Sequence, residues 1–177
     1  ENTGTGSNAV KDLSGNSAHG TMQASMTSGN WVPGRFGSSL NFDGTDDDVT
    51  TSTTTSANVT QFTVSAWTYF DSAPGSSTNM YVIERGNTGA DTQNFYLWLD
   101  ANGTISGTGV SQLVYGFHSP GPGFRDNLYT FTPSAQTWYH FAVSYDQSKI
   151  RLFINGSQVA ESAETNIPNT TGSQLIF

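Results

Sequence analysis

Aromatic and branched side chains recur every second residue along this chain, in short runs separated by Gly, Pro, Asn and Asp. A two-residue period puts alternate side chains on opposite faces of an extended strand, so such runs specify half-buried antiparallel strands. Residues 61–70 place Phe62, Val64, Ala66 and Phe70 on one face and Trp67 and Tyr69 on the other. With aromatics on both faces, this strand is expected to be central and covered on two sides. Further strands are expected at 80–85, at 94–100 (Phe95, Leu97 and Leu99 alternating with Tyr96 and Trp98) and at 113–117. The segment 137–145 carries the strongest alternation: Tyr139, Phe141, Val143 and Tyr145 oppose Trp138, His140 and Ala142. Strands at 149–154 and 157–161 follow it through turns at Asp146–Ser148 and Asn155–Gly156, predicting a three-stranded meander.

Composition agrees with a β fold. Serine (22), threonine (24) and glycine (19) supply much of the 177-residue chain and few helix-formers remain, while aromatics at 12% are too many for a disordered polar tract. No internal repeat or composition break is visible, so residues 1–177 are expected to form a single antiparallel β-sandwich. The net charge of −8 and only two lysines, Lys11 and Lys149, leave no basic footprint for nucleic acid. The chain has no cysteine, which excludes disulfides, thiolate zinc sites and thiol catalysis. It has no run of about 18 apolar residues, so membrane insertion is not expected. Residues 1–7 lack the features of a signal peptide, and any export signal is expected outside this chain.

Three stretches, taken in order, resemble the laminin-G-like, concanavalin A-like jelly-roll modules of secreted and surface proteins. They are Asp12-Leu13-Ser14-Gly15-Asn16-Ser17-Ala18-His19-Gly20-Thr21; Leu40-Asn41-Phe42-Asp43-Gly44 followed by Phe62-Thr63-Val64-Ser65-Ala66-Trp67; and Trp138 to Asp146 with Arg151-Leu152-Phe153-Ile154-Asn155-Gly156. The resemblance implies an all-β jelly roll, extracellular or surface-displayed. It also implies that the family's first and last strands fall outside residues 1–177. That leaves three alternatives: a piece of a larger polypeptide, a truncation, or strands supplied by a neighbouring copy.

The jelly roll also hosts glycoside hydrolases, which need two carboxyl groups about 5–10 Å apart. The four glutamates, Glu1, Glu84, Glu161 and Glu164, do not form a Glu-x-Asp-x-x-Glu run, and Glu84 is expected to pair with the adjacent Arg85. His19, His118 and His140 sit in separate contexts with no catalytic triad pattern, so no enzyme activity is expected. Asp12, Ser14 and Asn16 offer hard oxygens at turn-like spacing and suit Ca²⁺, as the resemblance also implies; Asp43, Asp46, Asp47 and Asp48 form a second acidic knot or a solvated turn. Stacking platforms and hydroxyl partners for a polysaccharide or cell-surface glycan are expected at Trp67, Tyr96, Trp98, Tyr115, Phe117, Phe124 and Arg125, with 114–129 as an aromatic Gly/Pro-rich loop. Glycosylation sequons start at Asn58, Asn102, Asn155 and Asn169. The expected role is therefore a non-catalytic carbohydrate-binding or adhesion module. The alternative is a structural subunit of a filament, pilus or virion, with neighbouring copies as partners.

Overall fold

A computed structural model describes residues 9–51, 59–73, 75, 79–86, 93–171 and 174–177. Its strands are β1 Ala9–Val10, β2 Gly20–Met22, β3 Trp31–Pro33, β4 Ser38–Leu40, β5 Val49–Thr51, β6 Phe62–Phe70 and β7 Asn79–Arg85. The remainder are β8 Phe95–Asp100, β9 Gln112–Ser119, β10 Gly123–Thr130, β11 Thr137–Tyr145, β12 Lys149–Ile154, β13 Ser157–Ala163 and β14 Leu175–Ile176. Among the described residues helix is confined to one 3-10 turn, Ser28–Asn30.

An eight-stranded sheet, ordered β1-β2-β5-β14-β7-β8-β9-β10, faces a four-stranded sheet, β13-β12-β11-β6. Every pairing is antiparallel. The expected alternation builds the core between them. Leu97, Leu99, Leu113, Tyr115 and Phe117 project from the larger sheet onto Phe62, Phe141, Val143, Tyr145, Ile150 and Leu152 of the smaller one. Burying a large apolar side chain contributes about 1.5–3 kcal/mol, so this cluster supplies the main drive for the two sheets to close. The meander β11-β12-β13 forms as the sequence predicts.

Two expectations need correction. Among the described residues strand β6 is an edge strand paired only with β11, and its Trp67 and Tyr69 stay partly open to solvent, with only the turn at Phe36 lying against Trp67. The outward positions between them and the strand start are Thr63 and Ser65, which need no cover. Residues 114–129 are not a loop. They lie in strands β9 and β10, joined by a tight turn at Pro120-Gly121-Pro122 in which Gly121 takes φ 89°. Their alternation, Leu113, Tyr115 and Phe117 inward, outweighs the local Gly and Pro content. Between β8 and β9, Asn102-Gly103 opens a loop over 101–111, anchored by Asp100 Oδ2 accepting from Ile105 N–H at 2.9 Å and Gln112 Nε2 at 3.0 Å.

Candidate functional site

The outer face of the eight-stranded sheet is built by cross-strand registry. Glu84 opposes Tyr96, Tyr96 opposes Gly116, and Gly116 opposes Asp126, so one row crosses β7, β8, β9 and β10. The next row reads Tyr81, Trp98, Val114 and Leu128. Gly116 is required for space. A Cβ there would lie 2.1 Å from the Arg125 carbonyl oxygen and 3.0 Å from the Tyr96 hydroxyl. Across this floor the Tyr96 hydroxyl donates to Asp126 Oδ1 at 2.5 Å. Burial, reinforced by Asp126, pushes the Tyr96 phenol far above its ordinary range, so it stays a proton donor.

Glu84 projects outward and is only 3% exposed; its Oε1 is buried and makes no hydrogen bond. Arg85 projects inward, because successive strand residues point to opposite faces, so the expected Glu84–Arg85 pair does not form. Burial pushes the Glu84 carboxyl up. Beside it Tyr81, 51% exposed, stacks on Trp98 with ring centroids 5.5 Å apart and planes 21° from parallel. Phe124, 50% exposed, stands edge-on to His118 at 5.0 Å and to Tyr96 at 6.3 Å. The face thus combines open aromatic rings with a buried carboxyl oxygen that lacks a donor.

Of the residues expected to bind sugar, Tyr96, Trp98 and Phe124 are brought together here. Trp98 and Tyr96 are largely covered, and the ring that solvent meets above Trp98 is Tyr81, which sequence reasoning missed. A β-bulge is the reason: the register shifts between Tyr81 and Ile83, turning both Val82 and Ile83 toward the core and interrupting the alternation. Tyr115 and Phe117 belong to the interior and cannot serve as platforms. Arg125 is held by Glu164, Nε to Oε2 at 2.9 Å. Burial raises the Glu164 carboxyl, but Asn166 N–H and Arg125 more than offset it and hold it below the usual range. Trp67 lies on the opposite side of the molecule, on the outer face of the smaller sheet.

The two acidic loops differ in what they offer a cation. Asp12 Oδ1 accepts from Ser14 N–H (2.7 Å), and Oδ2 from Ser14 Oγ (2.9 Å) and Ala18 N–H (2.9 Å). Ser14 Oγ in turn accepts from Asn16 N–H and Nδ2. Asp12, Ser14 and Asn16 therefore cap one another in a turn. By contrast Asp43, Asp46 and Asp47 place ligand oxygens within 4.8 Å of one another. Asp48 behind them has a buried Oδ1 without a partner, and burial followed by Asp46 and Asp47 pushes its carboxyl up. This second cluster has the hard, converging oxygens that a divalent cation requires.

Asn102 Oδ1 accepts from Thr104 N–H, Asn155 Oδ1 from His140 N–H at 2.9 Å, and Asn169 Oδ1 from Thr171 N–H at 2.9 Å. Each of these sequon asparagines braces a turn or a loop; Asn58, like Glu1, lies outside the described residues. Among the described residues no helix is long and apolar enough to cross a membrane.

No curated protein matches the sequence. Among solved structures, the chain is similar to domain 4 of AbnA, an extracellular arabinanase from Geobacillus stearothermophilus solved with arabinotriose. The identity is 15% over 89% of this chain and 72% of that one, with a TM-score of 0.63. It is also similar to an S-layer domain-containing protein from Clostridium thermocellum, at 21% identity over 97% of this chain and 72% of that one, with a TM-score of 0.51. At these identities the likeness shows the fold alone. Residues 43–177 match the model of the concanavalin A-like lectin/glucanases superfamily, and the chain, with its two facing antiparallel sheets, belongs to that family.

Proposed function

We propose that this chain is a non-catalytic carbohydrate-binding or adhesion module that works outside the cell or on its surface, and that it holds saccharide on the outer face of the eight-stranded sheet. The observation that carries this reading is the open Tyr81 ring, backed by Trp98 and set beside a buried Glu84 oxygen with no donor. A pyranose or furanose ring fits this open aromatic surface, since its C–H face packs on an exposed ring. The arabinotriose held by the similar arabinanase domain supports the ligand class, and the extracellular setting of that enzyme supports the location.

Hydrolysis fits poorly. Glu84 and Asp126 share a face but stand on strands separated by β8 and β9, about 14 Å apart along the sheet at about 4.8 Å per strand. Glycosidase carboxyl pairs lie about 5–10 Å apart, and Asp126 is engaged by Tyr96. Ca²⁺ is part of the same proposal, assigned to Asp43, Asp46 and Asp47 rather than to the Asp12 loop. There it would tie the β4–β5 connection and supply stability, not chemistry. Calorimetric titration with arabino-, xylo- and gluco-oligosaccharides tests the reading. One of them binds, and Tyr81→Ala weakens it about 5–30-fold, from about 1–2 kcal/mol of ring contact. No binding at millimolar ligand would overturn it.

A second reading, a subunit of a surface assembly, is favoured by the similarity to the S-layer protein. The sheets offer edge strands β10, β13 and β6 for pairing with another copy. Light scattering on a size-exclusion column separates the two readings, a concentration-independent monomer excluding assembly.

A further inference from the structure

The outer face of the four-stranded sheet carries a second constellation, independent of the first. Register places Trp67 opposite His140 and Tyr69 opposite Trp138, and their rings meet at 5.1 and 5.2 Å. Next to them the β12–β13 turn holds Asn155 at φ 51°, with Oδ1 committed to the His140 backbone N–H and the Nδ2 side of the amide left over. The β3–β4 hairpin completes the arrangement. Its tip is closed by Gly34 N–H donating to Gly37 O at 2.8 Å, and Gly34 is tight enough that a Cβ would stand 2.9 Å from the Ser38 backbone. That turn sets Phe36 edge-on to Trp67 at 5.5 Å and lays the Arg35 guanidinium 5.6 Å from the Trp67 ring and 5.4 Å from Phe36. The result is an open hollow of about 610 Å³ lined by Arg35, Trp67, Trp138, His140, Asn155 and Gly156.

Its charge is opposite to that of the molecule. The chain carries −8, yet among the described residues no carboxylate lines the hollow. Arg125, Lys149 and Arg151 are each engaged by Glu164, Glu161 or Asp146. Arg35 has no carboxylate partner among the described residues. A guanidinium held over aromatic rings keeps its in-plane N–H groups available, and those groups match a carboxylate in a two-pronged hydrogen bond. Trp67, 41% exposed, and Trp138 offer ring faces suited to the apolar side of a sugar. We infer that this hollow is a second binding site, for an acidic saccharide whose carboxylate is taken by Arg35 and whose ring lies on Trp67 and Trp138. The site does not share a residue with the Tyr81 face, so either can fail without the other.

The test is calorimetric titration of the full chain with trigalacturonate, its neutral counterpart trigalactose, a sulfated disaccharide and a glutamate-rich peptide, with tryptophan fluorescence as a second readout. Trigalacturonate is expected to bind at least tenfold tighter than trigalactose and to shift tryptophan emission. Arg35→Gln, on an exposed turn and harmless to the core, removes that preference, and Trp138→Ala removes the emission change. Equal affinity for the charged and neutral trisaccharides, or an unchanged preference in Arg35→Gln, would overturn the inference. So would tighter binding of the sulfated sugar or the peptide, the first against a carboxylate ligand and the second against a saccharide.

Discussion

Gly116→Ala tests how the outer face of the larger sheet is built. Gly116 sits mid-strand in β9 between Tyr96 and Asp126, and its φ is not in the left-handed region, so the substitution is limited by space alone. The added methyl carbon falls 2.1 Å from the Arg125 carbonyl oxygen, nearly an ångström inside the closest contact such atoms make, and that obstacle is backbone. Strand β10 must move away, at an overpacking cost of about 1–3 kcal/mol. The same methyl crowds the Tyr96 hydroxyl at 3.0 Å and displaces it from Asp126, and loss of a hydrogen bond to a charged group costs about 1.5–3 kcal/mol. Together the loss is about 2.5–6 kcal/mol, and at about 2–4 °C per kcal/mol for a domain of this size the melting temperature drops by about 5–24 °C. Gly121→Ala is the comparison: its φ of 89° strains any other residue, but nothing lies within 4 Å, so about 1–2 kcal/mol is expected. Differential scanning calorimetry and urea titration of both variants provide the readout. A Gly116→Ala protein melting within about 2 °C of the parent, or no worse than Gly121→Ala, would refute the geometry.

Other outcomes follow from the same residues. Glu84 is held above its ordinary value of 4.5 by burial, so its ionisation opposes folding once pH rises beyond that value. Glu84→Gln should therefore stabilise the protein at pH 8 and lose that advantage near pH 4; a gain independent of pH would contradict the assignment. Glu164 has the opposite sign. Its carboxyl is held low, so the Arg125 ion pair stabilises above pH 4.5 and fades as pH falls through its folded value. Arg125→Ala, with the arginine about one-third exposed, should cost about 1–2 kcal/mol at pH 7 and less at pH 3, measured by urea unfolding. Ca²⁺ should raise the melting temperature in a concentration-dependent way. Asp43→Asn should abolish that rise while Asp12→Asn does not; the reverse pattern would move the cation to the first loop.

The fold was legible where alternation was uninterrupted. Strands 137–145 and 149–154 match the structure at both ends, because Tyr139, Phe141, Val143 and Tyr145 have no competing periodicity. Which strand lies at an edge was not legible, since Trp67 and Tyr69 look the same in sequence whether a layer covers them or solvent does. Pro120, Gly121, Pro122 and Gly123 suggest an irregular loop over 114–129, although they occupy only the turn after β9 and the first residue of β10. The aromatic side chains of the site could be named but not sorted. Tyr115 and Tyr96 sit on neighbouring strands, yet one joins the core and the other the outer face, and that choice depends on register. Tyr81 was hidden by its bulge, and Arg35 by the hairpin that carries it over Trp67 from a segment with no strand pattern of its own.

The central claim is most directly examined by mapping saccharide contacts in solution. Backbone amide shifts of isotope-labelled protein, titrated with arabino-, xylo- and gluco-oligosaccharides, should move at Tyr81, Glu84, Trp98 and Phe124 for at least one ligand and stay still in Tyr81→Ala. Shifts confined to the sheet edges on raising protein concentration, with none on this face at millimolar sugar, would contradict a glycan-binding module and favour an assembly subunit.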